Sequence, residues 1–361
     1  MYIRNLKLKN YRNIKNLDLQ FSDHINLIVE KNGYGKTNIL ESIFLMSNGS
    51  TFRQLYSKLD FINIDSESGF AKISIATEEN NLELVISNVS NILKSQLKLN
   101  TKNTNQRKSS ELIKVILFAP YSINITNGTP SDRRTDLDIF LSTCFNEYKS
   151  SLKKYKTLLK NRNALIKNIR EGKSSQNELE FWTNGLVDTA YLIFKYRILF
   201  FNEISQFIND TGSDIYRGTL EFNLEYLPNL ETTEANFKSA YLDKYEQNKA
   251  KEIIVGKTLY GIHKDDYRFN FGENELRFRG SRGQQRISSF IFKMSQHKYL
   301  ESKTNINAIF LIDDVMSELD EEHRINLAKY LISCKFQIFI TGADIREMPE
   351  ILIANSKKIE F

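Results

Sequence analysis

The chain has 361 residues, of which 41% are hydrophobic and 26% charged, and its formal net charge is +6. This composition is typical of a globular protein, so it excludes a wholly disordered chain and permits a polyanionic partner. The most apolar stretch, residues 191–201, is too short to cross a bilayer. Cys144 and Cys334 have no Cys or His at metal-ligand spacing. This argues against a zinc site or a disulfide framework and favours a reducing cytoplasm.

The first part of the chain predicts strands that lead into a glycine-rich loop. Alternating apolar residues over 3–8 and 17–21 predict two strands, and the apolar run 24–29 predicts a buried one. The loop follows at 31–37, and apolar residues then recur at helical spacing over 39–44. Strand, glycine loop and helix form the setting in which such a loop binds phosphate.

The chemistry of this loop favours a nucleoside triphosphate. Gly33 and Gly35 lack side chains, so backbone N–H groups can curl around a phosphate at the positive end of the next helix. Lys36 adds a positive charge for the β- and γ-phosphates, and Thr37 offers a hydroxyl to Mg²⁺. Glu30 stands where the full pattern has glycine, and the sequence leaves open whether its carboxylate points toward the ligand.

The middle of the chain changes from strands to helices. Residues 71–93 and 113–118 predict strands, 94–110 an exposed basic hairpin or loop, and 135–210 long helices. Within the helical part, residues 149–170 carry eight basic residues and no acid. This basic window, like residues 94–108, is compatible with a DNA backbone, but charge runs are usually solvated helix faces, and both interpretations stay open.

The last part of the chain returns to an α/β pattern. A helix predicted over 281–300 opens with Ser281 and Gly283, which suit either a second anion-binding helix end or an ordinary Ser N-cap. The apolar strand 308–312 ends in Asp313 and Asp314. Ligands of such sheets lie beyond the carboxyl ends of the strands, so we expect Asp313 to hold Mg²⁺ and Asp314 to orient or deprotonate the attacking water.

These motifs, taken together, resemble those of a known family. The phosphate loop, the Ser-Arg-Gly-Gln-Gln-Arg segment, the Asp-Asp strand end and Ser317-Glu318-Leu319-Asp320 follow the order found in ABC-type ATPases. More closely, the chain resembles the RecF family of bacterial DNA replication and repair proteins. The matching segments are 8–13, 32–38, 117–120, 132–134, 161–165, 261–266, 280–286 and 311–320.

The resemblance implies an α/β fold: an ABC-type ATPase head, which is a P-loop NTPase lobe with a mixed sheet, plus an inserted, mainly helical second lobe. The first lobe would combine residues 1–118 and 252–361, and the second would span 119–251. It also implies an ATP-dependent homodimer with ATP between the subunits. Ser281 would contact the γ-phosphate bound by Lys36 of the other subunit, and Asp320 would lie in a loop crossing that interface.

The predicted site residues fall into four groups. The catalytic residues are Asp314, Lys36 and Ser281. The nucleotide contacts are Glu30, Lys31, Asn32, Gly33, Tyr34, Gly35, Lys36, Thr37, Asn38, Arg53, Ser281, Gly283 and Gln284, with Arg53 placed near the adenine by the resemblance. The metal ligands are Thr37 and Asp313, and the DNA contacts are Lys149, Lys153, Lys156, Lys160 and Arg162.

The resemblance further implies what the protein does. It predicts a cytoplasmic protein of recombinational repair and replication-fork maintenance that uses ATP and Mg²⁺ and hydrolyses ATP slowly with stimulation by DNA. Its expected partners are gapped or single-strand/double-strand junction DNA, RecO and RecR, with recombinase loading as the outcome and no membrane contact. Two alternatives stay open: a diverged ATPase of a defence or mobile-element system, and an ATP-binding scaffold with little hydrolysis because Glu30 weakens the loop.

Overall fold

The computed structural model describes residues 2–31, 33–53, 58–67, 69–89, 92–215, 222–314, 316 and 319–361. The strands are β1 (Ile3–Tyr11), β2 (Ile14–Gln20), β3 (Ile25–Val29), β4 (Phe70–Thr77), β5 (Asn81–Val89), β6 (Ile92–Leu99), β7 (Lys102–Thr104), β8 (Val115–Phe118), β9 (Phe222–Leu227), β10 (Asp266–Phe271), β11 (Asn274–Glu275), β12 (Ile309–Ile312), β13 (Ile338–Gly342) and β14 (Lys357–Ile359). The helices are α1 (Lys36–Asn48), α2 (Gln106–Leu112), α3 (Asn124–Asn127), α4 (Pro130–Cys144), α5 (Asn146–Arg170), α6 (Leu179–Ile215), α7 (Phe237–Val255), α8 (Leu276–Arg279), α9 (Arg282–Thr304), α10 (Glu321–Ser333) and α11 (Glu350–Ala354).

Most of the predicted elements are present close to their expected bounds. The helix predicted over 281–300 is α9, and the strand predicted over 308–312 is β12. Residues 94–110 form the β6–β7 hairpin and most of α2, so the part expected as a loop is largely regular. Within the described ranges, no helix is long and apolar enough to cross a membrane.

The chain divides into two compact units. The first contains residues 1–122, a short stretch at 213–218 and residues 290–361; the second contains 123–212 and 219–289. The sequence predicted a return to the first lobe at residue 252, whereas 252–289 lies in the second unit. The reason is that β10 pairs with β9 from Asp266 opposite Leu227 to Phe271 opposite Phe222.

The first unit contains two sheets. Five parallel strands have the order β14-β3-β13-β12-β8, and six antiparallel strands have the order β2-β1-β4-β5-β6-β7. The resemblance implied a P-loop NTPase lobe with a mixed sheet, and in this unit the parallel and antiparallel strands form two separate sheets. The strands separate because most of the antiparallel ones are joined by short connections, while the parallel ones are joined by longer crossovers that contain helices.

The helix α1 lies in the core that the two sheets share. Leu8 of β1, Ile73 of β4, Ile43 of α1 and Leu311 of β12 belong to one apolar cluster. Most side chains of α1 are buried, as expected for a helix enclosed by other elements. This packing fixes the position of the helix start, which carries Lys36.

The second unit contains helices, a three-stranded antiparallel sheet of order β11-β10-β9, and a buried ionic network around Arg197 of α6. The Arg197 guanidinium is 1% exposed and donates to Asp265 Oδ2 at 2.8 Å and to Asp138 Oδ1 at 2.9 Å. Burial raises the pKa of Asp265, and the charge of Arg197 opposes that rise. Arg133 holds the neighbouring Asp266 through two bonds of 2.7 Å. These bonds give the 132–134 and 261–266 segments of the resemblance a structural role.

His297 of α9 is a fully buried imidazole in the first unit. Its ring stacks on Phe336 with centroids 3.8 Å apart, and its Nε2 lies 2.8 Å from the carbonyl oxygen of Ala308. Burial lowers the pKa of His297 to about 4, compared with about 6.5 in an unfolded chain. Because the folded state favours the neutral ring, its stabilising contribution is complete above pH 6.5 and is lost as the pH falls toward 4.

We therefore expect His297 to remove about 2 kcal/mol from the free energy of unfolding between pH 8 and pH 5. In His297→Gln, an amide can still donate to Ala308, and this part of the pH dependence should disappear. Urea unfolding at pH 8, 6.5 and 5 measures the difference. Burial also lowers the pKa of His263 to about 4, so His263→Gln should remove a comparable part of the pH dependence. Equal pH dependence in wild type and His297→Gln would contradict the prediction.

Candidate nucleotide-binding site

The predicted phosphate loop connects β3 to α1. Gly33 and Gly35 have φ angles of 91° and 103°, in the left-handed region that favours glycine. A Cβ on Gly35 would lie 3.1 Å from Asn13 Oδ1 and 3.2 Å from Ile14 Cδ1. A side chain there would be both strained and crowded, so the backbone of this turn depends on glycine. The turn ends where α1 begins, which places loop N–H groups beside the positive end of the helix.

The buried side chain of Lys36 folds back across the loop. Its Nζ donates to the carbonyl oxygens of Glu30 and Lys31, the second at 3.1 Å. The Glu30 carboxylate accepts from the backbone N–H of Lys31 at 3.0 Å and does not line the adjacent cavity. The acid that replaces the glycine of the pattern is therefore held by its own loop.

Asp313 joins the two halves of the site. Its Oδ1 accepts from the hydroxyl of Thr37 at 3.1 Å and from that of Thr341 at 2.8 Å. Asp313 directly follows β12, Thr37 lies in the first turn of α1 after β3, and Thr341 lies near the end of β13. The strands β3, β13 and β12 are consecutive in the parallel sheet. Burial raises the pKa of Asp313, and the two hydroxyls oppose the rise. A cation at this carboxylate would stabilise its ionised form.

Asp314 adopts an unusual backbone conformation beside it. Its φ is 47°, and its N–H donates to the Thr341 hydroxyl at 3.0 Å. Thr341 Oγ1 thus accepts from Asp314 and donates to Asp313, so one side chain holds both acids. Asp314 lines the cavity next to the loop, where a water-orienting carboxylate was predicted.

This cavity has a volume of about 930 Å³, which is within the range of ligand pockets. The predicted residues that line it are Gly33, Gly35, Lys36, Thr37, Asn38, Arg53 and Asp314. Tyr34 is 59% exposed, and Lys31 contributes its carbonyl oxygen to Lys36. Asn32 lies outside the described residues.

Arg12 and Asn13 also line the cavity, although the sequence indicated no site role for them. Asn13 donates to the carbonyl oxygen of Gly33 at 2.7 Å and accepts from the Asn38 amide at 2.6 Å. Arg12 donates to the two oxygens of the buried Glu41 at 2.9 and 2.6 Å. The local signal was a short polar turn between two strands, and its proximity to the loop depends on tertiary packing.

The donors at Thr37 and Asp313 fit the expected Mg²⁺. A hydroxyl and a carboxylate are hard oxygen ligands, and Mg²⁺ commonly takes one or two protein oxygens together with phosphate oxygens and water. In the described part of the chain, no cluster of three or more His, Cys, Asp or Glu side chains could hold a metal. We expect a Mg²⁺ ion at these two oxygens to take its remaining ligands from phosphate and water.

The Ser-Arg-Gly segment begins α9 in the second unit. Ser281 N donates to Gln284 Oε1 at 2.8 Å, and Gln284 N donates to Ser281 Oγ at 3.2 Å, which forms a capping box. Ser281 and Gly283 are exposed. This geometry is that of an ordinary Ser N-cap, and it also leaves the start of α9 accessible to an anion, so both predicted interpretations stay open.

Two further expectations concern the segment after β12. Ser317 and Glu318 lie outside the described residues. Asp320 caps α10 by accepting from the N–H of His323 at 2.9 Å. The N–H and the imidazole of His323 lower the pKa of Asp320. Its proposed place at a subunit interface stays a prediction.

The predicted DNA contacts on α5 divide into two kinds. Lys153, Lys156 and Lys160 are exposed, whereas Lys149 is half-buried and its pKa is lowered by burial. Arg162 is 2% exposed and donates to Glu252 Oε2 at 2.7 Å. Its assignment to DNA was wrong, because helical spacing turns this side chain toward the interior of the unit.

The comparisons with known proteins agree with this fold and identify the family. The RecF/RecN/SMC N terminal domain model matches residues 2–352. The DNA replication and repair protein RecF of Bacillus cereus (strain G9842) is 30% identical over 99% of this chain and 96% of its own length, and that of Bacillus mycoides (strain KBAB4) is 29% identical over the same shares. A solved structure of the recombination mediator protein RecF with ATPrS, in the RecFOR pathway, aligns with a TM-score of 0.86 at 25% identity, covering 99% of this chain and 96% of the other.

A second solved structure, RecF with ATP, aligns with a TM-score of 0.84 at 25% identity over 96% of this chain and 93% of the other. An Smc head domain from Pyrococcus furiosus has the same general fold, with a TM-score of 0.55 at 14% identity over 98% of this chain and 92% of the other. The fold and the phosphate-loop site thus define an ABC-type, SMC-like ATPase head with an inserted helical part. The chain belongs to the RecF/RecN/SMC N terminal domain family, and the predicted resemblance to RecF is confirmed.

The Thr341 hydroxyl provides a test of the acid pair. Thr341→Val removes the hydroxyl with little change of shape, whereas Thr341→Ser retains it. Because hydrogen bonds to charged groups contribute about 1.5–3 kcal/mol, we expect the valine variant to lose roughly 10- to 100-fold in ATP turnover and to need more Mg²⁺ for half-maximal activity. The serine variant should keep most of both. Phosphate release at varied Mg²⁺ measures them, and equal behaviour of valine and wild type would contradict the prediction.

Arg162 and Lys160 provide a matched pair on α5. Arg162→Ala leaves Glu252 buried without its partner, so we expect the free energy of unfolding to fall by about 3–5 kcal/mol. The exposed Lys160→Ala should change it by less than about 0.5 kcal/mol. Urea unfolding measures both. The double variant Arg162→Met/Glu252→Leu should recover much of the loss, and a mild effect of Arg162→Ala would show that the pair contributes little.

Proposed function

We propose that this protein is an ATP-dependent DNA-binding protein of recombinational repair and replication-fork maintenance, acting in the cytoplasm. It binds ATP and Mg²⁺, dimerises on ATP, hydrolyses ATP slowly with stimulation by DNA, and helps to load a recombinase together with RecO and RecR. One observation carries the proposal: Lys36, Thr37 and Asp314 come from opposite ends of the chain and line one cavity, and Asp313 accepts from the Thr37 hydroxyl beside it. The full-length similarity to RecF supports the repair role.

The chain's own groups account for phosphate binding. The loop N–H groups and the start of α1 stabilise negative charge, and Lys36 adds an ammonium that the Glu30 and Lys31 carbonyls keep beside the loop. Thr37 and Asp313 are the proposed ligands of Mg²⁺, which would neutralise phosphate charge when bound. Asp314 orients the attacking water or accepts a proton from it. The Thr341 hydroxyl holds the backbone of Asp314 in place.

The second helix end supports the proposed dimer. Ser281 and Gly283 are exposed at the start of the long helix α9, whose N-terminal N–H groups favour an anion. In the proposed dimer they contact the γ-phosphate at Lys36 of the other copy. ATP would then bind between the two subunits, and its hydrolysis would release them.

DNA contact has weaker support than nucleotide binding. The net charge of +6 and the exposed lysines of α5 favour a polyanion, and the similarity to RecF favours DNA with a gap or a single-strand/double-strand junction. RecO and RecR are proposed as partners because two solved structures similar to this chain are RecF in the RecFOR pathway.

The two alternatives lose part of their basis. The scaffold hypothesis depended on a Glu30 carboxylate that repels phosphate, and this carboxylate instead accepts from the Lys31 N–H outside the cavity lining. The hypothesis of a defence or mobile-element ATPase is disfavoured by the full-length similarity to proteins described as DNA replication and repair protein RecF.

We expect Lys36→Ala to eliminate ATP-dependent dimerisation, because the loop loses its charge for the β- and γ-phosphates. Lys31→Ala is the matched control, since only the backbone of Lys31 contacts Lys36. Light scattering with and without ATP and gapped DNA measures the dimer. If Lys36→Ala dimerised as well as wild type, the model of ATP between two subunits would be wrong.

Asp314→Asn separates enzyme from scaffold. We expect it to retain ATP binding and dimerisation but to lose roughly 10²- to 10⁴-fold in phosphate release, as is typical when a general base is removed. Single-turnover hydrolysis with gapped DNA measures the step. Wild-type binding without any turnover would support the scaffold instead.

A further inference from the structure

The six-stranded antiparallel sheet has one face in the core and one face in solvent. Along β4 and β5, for example, buried residues alternate with partly exposed ones. The register of the strands is known from β2 to β7, so neighbours on the solvent face can be identified. We call this solvent side, formed by the alternate residues of β1, β2, β4, β5 and β6, the outer face.

The outer face carries more positive than negative charge. It includes five lysines and two carboxylates: Lys7, Lys9, Lys72, Lys94 and Lys98, with Asp18 and Glu83. Lys9 of β1 lies directly opposite Lys72 of β4. Like charges directly opposite on neighbouring strands are destabilising, so folding alone gives no reason for this pair. A polyanion bound on this face would relieve the repulsion.

The two carboxylates leave much of this charge without a partner. Asp18 pairs with Lys7 at 2.8 Å, and Glu83 is shared by Lys72 at 2.5 Å and Lys98 at 3.8 Å. Within the described ranges, Lys9 and Lys94 have no acidic partner, and the Lys9 ammonium lies 5.8 Å from the centroid of the Phe70 ring. Two cations are therefore available to a ligand, and two more share one acid.

The shape and the neutral residues of the outer face favour a nucleic-acid backbone. The five strands of the outer face, at spacings of about 4.8 Å, form a surface about 19 Å wide. Amide and hydroxyl side chains such as Asn16, Ser74 and Gln96 lie between the lysines, and such groups commonly bind phosphate and sugar. Phe70 is the one aromatic residue among those that this face presents in the described strands, so the stacking platform that single strands require is not formed here.

We propose that the outer face docks the phosphate backbone of duplex DNA, without reading its sequence. This inference rests on the proposed function, because it assigns a surface to the DNA that the protein would bind. The outer face would be a second basic surface for DNA, in addition to the α5 lysines. On the outer face, Lys9 and Lys94 are the lysines whose charge no acid neutralises. Duplex next to a gap would lie across β1, β4, β5 and β6.

The test uses the double variant Lys9→Gln/Lys94→Gln in the full-length chain. Binding to a gapped duplex is measured by fluorescence anisotropy with ATP from 50 to 300 mM salt. Each phosphate contact contributes roughly −0.9 to the slope of log K against log salt, so the slope should become shallower by roughly 1.8, with weaker binding at every salt concentration. ATP binding should stay as in wild type, because neither lysine lines the nucleotide cavity. Thermal stability should not fall, because Lys9→Gln removes the repulsion between Lys9 and Lys72.

Lys329→Gln/Lys335→Gln is the charge-matched control, since both lysines are exposed and lie outside the outer face and α5, and it should leave the slope as in wild type. If the slope of log K against log salt were unchanged in Lys9→Gln/Lys94→Gln, the assignment of DNA to the outer face would be wrong. The proposed function would still stand in that case, provided that the wild type binds DNA. A wild type that binds ATP but no DNA would instead refute the proposed function. Equal loss of single-stranded and duplex binding in the sheet variant would also contradict the assignment to duplex.

Discussion

The hydrogen bonds that Asp313 accepts from Thr37 and Thr341 join segments that are far apart in the chain. They exist because β3, β13 and β12 are adjacent parallel strands whose carboxyl ends meet at one edge. A buried carboxylate in this position is unfavourable unless hydroxyls, and then a cation, compensate for its lost hydration. Thr341 also accepts from the backbone N–H of Asp314, which has a left-handed conformation. The proposed nucleotide chemistry depends on this arrangement.

Around this contact, the loop is preorganised by its own polar groups. Lys36 is held by two carbonyl oxygens, and Asn13 connects the loop to α1 through Gly33 and Asn38. Such bonds reduce the reorganisation that a charged ligand would otherwise require. They also explain how the chain tolerates Glu30: a carboxylate is harmful beside a phosphate only if it faces that phosphate, and here it accepts from the next backbone N–H.

Basic residues serve two different purposes in the molecule. Arg162 and Arg197 are buried and each is paired with carboxylates, so they hold helices of the second unit together at the expense of their hydration. Lys9 and Lys94 of the outer face and Lys153 and Lys160 of α5 are exposed and therefore available to a partner. A charge run in a sequence mixes these two populations, and only burial separates them.

Motif spacing by itself determined the phosphate loop, the acids after β12, the start of α9 and the family, because these depend on local backbone geometry and on residue order. It also predicted most of the helices and strands, since their apolar periods are local properties. Only the tertiary structure decided that Arg12 and Asn13 line the cavity, that Glu30 faces its own loop, that Arg162 is buried, and that residues 252–289 stay with β9. Each of these depends on which remote segments pair and pack, and a side chain's neighbours across such contacts are not encoded in its local pattern.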